Sequence, residues 1–284
     1  MLWIVLCSLL AWCGLIRLVN NLSDKFPRKM ARFIHWIHAM TFEGFALLAP
    51  PLLHLFPVRE ALQASGRPIL LVHGYGHHGS VWVLQKRWLK KTGLGPIYII
   101  HLGAPFHSIE YYAHKVEAKV QQIQKQTKRD DLILIGHSMG GLVSLWYALA
   151  MAKPNTVTDV ITLGTPLQGT PIAHLGLGPN ARQMKPHSPF LQQLSKLLHN
   201  NHQVQISHIA TLSDQLVIPG HSAVITDNRH LIIEDLGHIS LLFSKRVAKQ
   251  LIQWIKAAGC AKVVISQKNS PHGKQLAQDR SSPS

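Results

Sequence analysis

The chain has 284 residues, 46% of them hydrophobic and only 15% charged, with 29 Lys and Arg against 13 Asp and Glu for a formal charge of +16. That length suits one large domain or one domain with appendages, and a basic balance favours an anionic partner, either nucleic acid or lipid headgroups. Zinc-finger spacing, an RNA-recognition signature and a base-reading basic helix are all missing from the sequence, which sets nucleic acid aside and leaves an anionic lipid surface.

Residues 2 to 16, LWIVLCSLLAWCGLI, carry no charge. With Arg17 snorkelling and Leu18 and Val19 beyond it, the run is just long enough to cross a bilayer. It lacks the basic start and the small-residue cleavage site of a secretory signal, and bulky Trp12 before Cys13 argues against lipoprotein attachment. An uncleaved anchor is expected. The three cysteines, Cys7, Cys13 and Cys260, form no C-x-x-C pair and no disulfide framework. The basic stretch 17 to 32 reads as cytoplasmic by the positive-inside rule. Residues 33 to 57 are apolar again, interrupted by His35, His38, Glu43 and Pro50-Pro51, and read as a second span or an interfacial helix. Residues 1 to 60 are thus expected to form a membrane anchor of one or two apolar helices. Two spans, the favoured reading, place the remainder outside the cytoplasm; one span places it inside.

From residue 68 the pattern alternates between strand and helix. PILLVHG (68–74), IYIIHL (97–102), DLILIG (131–136), DVITLGTP (159–166) and VQISHIAT (204–211) are short, solidly apolar runs. Between the second and third, Ile109, Tyr112, Val116, Val120 and Ile123 fall three or four apart, one face of an amphipathic helix. A closing amphipathic helix is expected over 240 to 258. Apolar strands alternating with helices predict an α/β fold, a mostly parallel sheet covered on both faces. The expected core domain is 61 to 264. Within it, 166 to 203 has no strand pattern and carries Leu175, Leu177, Met184, Phe190, Leu191 and Leu194, as a lid or a packed cap would. Residues 265 to 284 are polar and expected to be disordered.

The third strand runs directly into G-x-S-x-G: Gly136, His137, Ser138, Met139, Gly140, followed by an apolar helix. A sharp strand-to-helix turn admits only glycine where backbones crowd, and it lifts a hydroxyl clear of the sheet at the carboxyl end of a strand. Ser138 is therefore the candidate nucleophile. Such a serine needs a base and an orienting carboxylate, expected in the chain order Ser, acid, His. His238, after Gly237 and just before the closing helix, is the candidate base, with His221 and His230 in reserve. Asp214, just past the fifth strand, is the candidate acid; Asp227, Glu234 and above all Asp235 compete with it. For an oxyanion hole the donors are the backbone amides of Met139 and Tyr75, the latter in the glycine-rich loop VHGYGHHGSVW after the first strand. His73, His77 and His78 have no accompanying carboxylate or thiolate cluster, so neither a metal nor another cofactor is expected.

LLVHGYG, GHSMGG, TLGTPLQGT, SDQLVIPG and GLGHISLLF, in that order over 68 to 258, resemble the α/β-hydrolase superfamily and within it the bacterial esterase/lipase branch. The resemblance extends to an LGLGPNARQMKPHSPFL-like segment, but not over the first 60 residues. It implies a lipase-type core with a Ser-His-Asp triad acting on an acyl ester. Gln168 stands where related lipases often carry histidine, which weakens any specific contact inferred there. The expected function is a serine ester hydrolase acting on a lipid or lipid-like ester. The alternatives are an acyltransferase or thioesterase with the same triad, and a hydrolase-like scaffold that binds lipid or membrane without turnover.

Overall fold

The computed structural model describes residues 37, 39 to 41, 43 and 66 to 268. Among these residues six parallel strands form one sheet: β1 (Ile69–Val72), β2 (Ile97–Ile100), β3 (Leu132–His137), β4 (Val157–Leu163), β5 (Gln205–Thr211) and β6 (Arg229–Ile233), in the spatial order β2-β1-β3-β4-β5-β6. The chain steps outward from β1 to β2, then returns to the other side of β1 to lay down β3. The order therefore reverses between β1 and β3, where Val72 pairs with Gly136, and the crevice beyond the strand ends at that reversal is where such sheets place their chemistry.

Alternate residues of these Ile- and Leu-rich strands feed two cores, as the period of two requires. Leu70, Val72, Leu132 and Leu134 pack with α2 (Ile109–Thr127) and α3 (Met139–Trp146) on one face. Ile69, Leu71, Ile133 and Ile135 pack on the other with α1 (Val83–Lys90) and with Val247 and Leu251 of the closing helix α6 (Lys245–Lys268). In α2 the five residues whose spacing signalled a helix are all fully buried, and Ser108 caps its start by accepting the Tyr111 amide. Each fully buried Leu, Ile or Val of these cores contributes about 1.5–3 kcal/mol relative to exposure.

Several expectations need adjusting. A sixth strand, β6, lies at the sheet edge, with Arg229 and His230 at its start and only Ile233 buried. The closing helix begins at Lys245, after a separate 3₁₀ turn at Ser240–Phe243, and runs to Lys268, past the point where a polar tail was expected to begin. The segment after β4 is helical in pieces: a turn at Pro171–His174, α4 (Gly178–Gln183) and α5 (Pro189–His199). Phe190, Leu191 and Leu194 of α5 are buried in the core, Phe190 with its ring 5.0 Å from Trp146, whereas Leu175 and Leu177 stand in solvent. This stretch therefore packs as a cap at one end and presents bare leucines at the other. The segment expected to form an N-terminal anchor falls outside the described residues, apart from residues 37, 39 to 41 and 43, which are helical. Among the described residues no helix is long and apolar enough to cross a membrane. Residues 269 to 284 also lie outside the description.

Candidate active site

Ser138 occupies the turn between β3 and α3 at φ 55° and ψ −130°, a conformation that costs a non-glycine residue of order 1–3 kcal/mol and persists only when its surroundings enforce it. The enforcement is steric. A Cβ at Gly136 would lie 2.4 Å from the Gly140 carbonyl oxygen, and one at Gly140 would lie 2.4 Å from the Val72 oxygen of β1. The helix thus starts hard against the sheet, and the Ser138 amide still reaches the Leu163 carbonyl at 2.8 Å. The loop after β1 comes equally close. A Cβ at Gly74 would sit 2.8 Å from the Ser138 Cβ. Tyr75 follows Gly74 in that loop, and Met139 is the first residue of α3.

His238 and Asp214 meet in the same place. His238 Nδ1 donates to Asp214 Oδ2 at 2.8 Å, with both side chains 1% exposed. The second carboxylate oxygen accepts the amides of Leu216 and Val217, at 2.9 and 2.7 Å, which fixes the plane of the group. His238 Nε2 is buried and has no hydrogen-bond partner among the described residues. Burial alone pushes the His238 pKa down; the Asp214 carboxylate and, beyond it, Glu43 override this and leave it raised. Beneath the pair lies Gly164 of the LGTP turn, at φ +52°. A Cβ there would stand 3.2 Å from His238 Nδ1 and 3.3 Å from Asp214 Oδ2. The competing carboxylates point elsewhere: Asp235 pairs with Arg246, and Asp227 and Glu234 are exposed, as are the reserve histidines His221 and His230.

Ser138 and His238 line one cavity of about 270 Å³ together with Tyr75, His77, Ile172, Ala173, Leu175, Ala181, Met184, Leu216 and Val217. The Tyr75 hydroxyl lies 3.1 Å from both the amide and the carbonyl of Leu177, tying the loop after β1 to the cap segment. His73 is buried with its pKa lowered to about 4 by that burial; its Nδ1 donates to the Gly74 carbonyl and its Nε2 accepts the Leu102 amide. His78 caps the 3₁₀ turn Gly79–Trp82 and stacks on His101 at 4.1 Å. Gln168 donates its amide to Ser222 and its side chain to Val224, which makes it a clamp between loops.

Two neighbours of the site escaped the sequence reading. His137, the variable residue of the serine turn, is wholly buried and donates from Nε2 to the His238 carbonyl at 3.0 Å; burial drives its pKa well down, so it stays neutral. Glu43, from the apolar stretch read as anchor, accepts the amides of Ile239 and Ser240. A carboxylate inside an otherwise apolar run was the signal for it.

The fold matches known structures. A lipase from Bacillus licheniformis, BlEst2, aligns with a TM-score of 0.54 at 19% identity, covering 66% of this chain and 90% of that one. Lipase B from Aspergillus fumigatus aligns with a TM-score of 0.58 at 17% identity, covering 69% of this chain and 54% of that one. The chain has an α/β-hydrolase fold. The family model of the PGAP1-like alpha/beta domain matches residues 106–233. Among curated relatives, a pimeloyl-[acyl-carrier protein] methyl ester esterase from Vibrio cholerae is 31% identical over 31% of this chain and 33% of its own length. A triacylglycerol lipase from Burkholderia plantarii is 30% identical over 51% of this chain and 42% of its own length. The matches thus span between a third and a half of these curated relatives.

Proposed function

We propose that the protein is a serine ester hydrolase with Ser138 as nucleophile, His238 as base and Asp214 as the acid that orients it. The observation that carries this reading is the arrangement around one cavity: a strained serine, and a histidine with Nδ1 held by a buried carboxylate and Nε2 left unpartnered. Ser138 Oγ attacks the acyl carbon as His238 Nε2 takes its proton, and the Met139 and Tyr75 amides receive the developing oxyanion. His238 then returns the proton to the leaving alcohol. Water, deprotonated by the same nitrogen, releases the acyl group and regenerates Ser138. The Asp214 charge favours the imidazolium formed in each half-reaction.

The cavity lining supports one substrate class. Ile172, Ala173, Ala181, Met184, Leu216 and Val217 offer an acyl chain an apolar lining in the cavity that Ser138 shares. Both curated relatives cited above are named for ester cleavage, one on a methyl ester and one on a triacylglycerol, which supports an ester with an apolar acyl part. The +16 charge and the apolar first 60 residues support a chain anchored at an anionic membrane, and two spans within those residues would place the hydrolase domain on the non-cytoplasmic side. The test is hydrolysis of aryl esters of short, medium and long acyl chains by wild type and Ser138→Ala. This reading expects a medium- or long-chain preference in the wild type and loss of several orders of magnitude of rate in the variant. Equal, chain-independent rates in both proteins point instead to a non-catalytic scaffold.

A further inference from the structure

The loop that carries His238 is held from two directions. From the end of β5, Thr211 donates to the Leu236 carbonyl, Ser213 donates to the Glu234 carbonyl, and the Gln215 side-chain oxygen accepts the His238 amide at 3.2 Å. From the N-terminal segment comes, among the described residues, a single group, Glu43. Its Oε1 accepts the Ile239 amide at 2.5 Å and its Oε2 accepts the Ser240 amide at 3.0 Å, across 196 and 197 residues of sequence. These are leading amides of the 3₁₀ turn Ser240–Phe243, donors that the turn itself cannot satisfy. Glu43 is only 5% exposed, and a Cβ at Gly237 would lie 2.5 Å from its Oε2, so the loop has glycine where the carboxylate presses against it. Of the charged groups, His238 and Asp214 face it.

A buried carboxylate is costly unless something needs it. A capping role alone is open to a serine or an asparagine, which bring no net charge into the interior. Glu43 instead brings a carboxylate behind a histidine whose ring already meets Asp214. We propose that Glu43 is a positioning residue of the active site, whose carboxylate seats the His238 loop and makes the N-terminal segment part of the catalytic machinery rather than an anchor alone. The proposal rests on the serine-hydrolase reading. Its electrostatic consequence has a definite sign. The Glu43 pKa is raised, by burial first and also by Asp214, with the Ile239 and Ser240 amides and His238 opposing; when ionised, the group favours protonated His238.

The experiment compares full-length wild type, Glu43→Gln and Glu43→Asp on an aryl ester. It measures kcat, KM and the pH profile of kcat/KM, with rates normalised to the fraction of Ser138 that a fluorophosphonate labels. Glu43→Gln keeps one acceptor oxygen and loses the charge. It is expected to lower kcat by up to about 100-fold, the scale of a displaced catalytic group, with a smaller change in KM. Its acid limb should move to lower pH, because the charge that favoured protonated His238 has gone. Glu43→Asp is expected to return the limb towards its wild-type place and to recover part of kcat. A simple capping role moves the melting temperature but neither the normalised kcat nor the limb, and that result overturns the proposal while the hydrolase reading stands. A Glu43→Asp no better than Glu43→Gln overturns it too. Wild type that neither turns over ester nor labels at Ser138 overturns the hydrolase reading itself and the proposal with it.

Discussion

Replacing Asp214 with asparagine exchanges one oxygen for an NH₂ at the centre of the site, and the surrounding bonds dictate the outcome. The Leu216 and Val217 amides require an acceptor on their side of the group, so the carbonyl oxygen of the new side chain must stay with them. The new NH₂ then faces His238 Nδ1, which can no longer donate. The ring proton is driven to Nε2, the nitrogen that must be bare to take the Ser138 proton. Losing the charge alone, at a separation of about 4 Å and an effective dielectric of about 20, forfeits about 4 kcal/mol of imidazolium stabilisation, roughly 10³-fold in rate. Adding the wrong tautomer brings the expected loss in kcat to about 10⁴-fold with little change in KM. Steady-state hydrolysis of an aryl ester measures this, with thermal melting to show that the fold survives the near-isosteric change. An Asp214→Asn enzyme that keeps more than a tenth of wild-type kcat, or an Asp235→Asn enzyme that loses as much, refutes the assignment of the acid.

The other predictions concern the ground beneath the pair and the buried histidines. Gly164→Ala places a side chain at φ +52° and 3.2 Å from His238 Nδ1, so denaturant melts should show about 1–2 kcal/mol of destabilisation and ester hydrolysis should fall out of proportion to it. His73 and His208 are each lowered to about 4, principally by burial, so between pH 6.5 and about 4 the unfolded chain binds protons that the native one refuses. The stability they confer is complete above pH 6.5 and drains away as pH falls, by up to about 1.4 kcal/mol per pH unit for each histidine. Urea titrations at stepped pH should show this slope, and it should be shallower in His208→Gln; an unchanged slope contradicts the assignment. His238 runs the other way: with its native pKa raised, its contribution is full below pH 6.5 and fades as pH rises through the native value.

The strands and the serine turn were legible because each is a local pattern. Five runs of β-branched and leucine residues needed only their own sequence to form strands, and G-x-S-x-G carries in its glycines the crowding that the structure shows at 2.4 Å. Edge strand β6 was not legible, because an edge needs one buried face at most and RHLII does not alternate cleanly. The choice between Asp214 and Asp235 was open in sequence, since proximity along the chain favoured one and position after a strand the other. It turns on the direction of a loop, and Asp235 faces Arg246 at the surface. Glu43 and His137 stood out in the sequence without a readable role, for a different reason. Each acts through a backbone group of the His238 loop a hundred or more residues away, and no local spacing records that.

The central claim is that Ser138 is an activated nucleophile, and its most direct test is chemical. The full-length protein is incubated with a fluorophosphonate and the adduct is located by peptide mass spectrometry. The account predicts one adduct, on Ser138, formed at a rate that collapses in His238→Ala and in Asp214→Asn and is absent from Ser138→Ala. Labelling elsewhere, or none in a folded wild type, would contradict it.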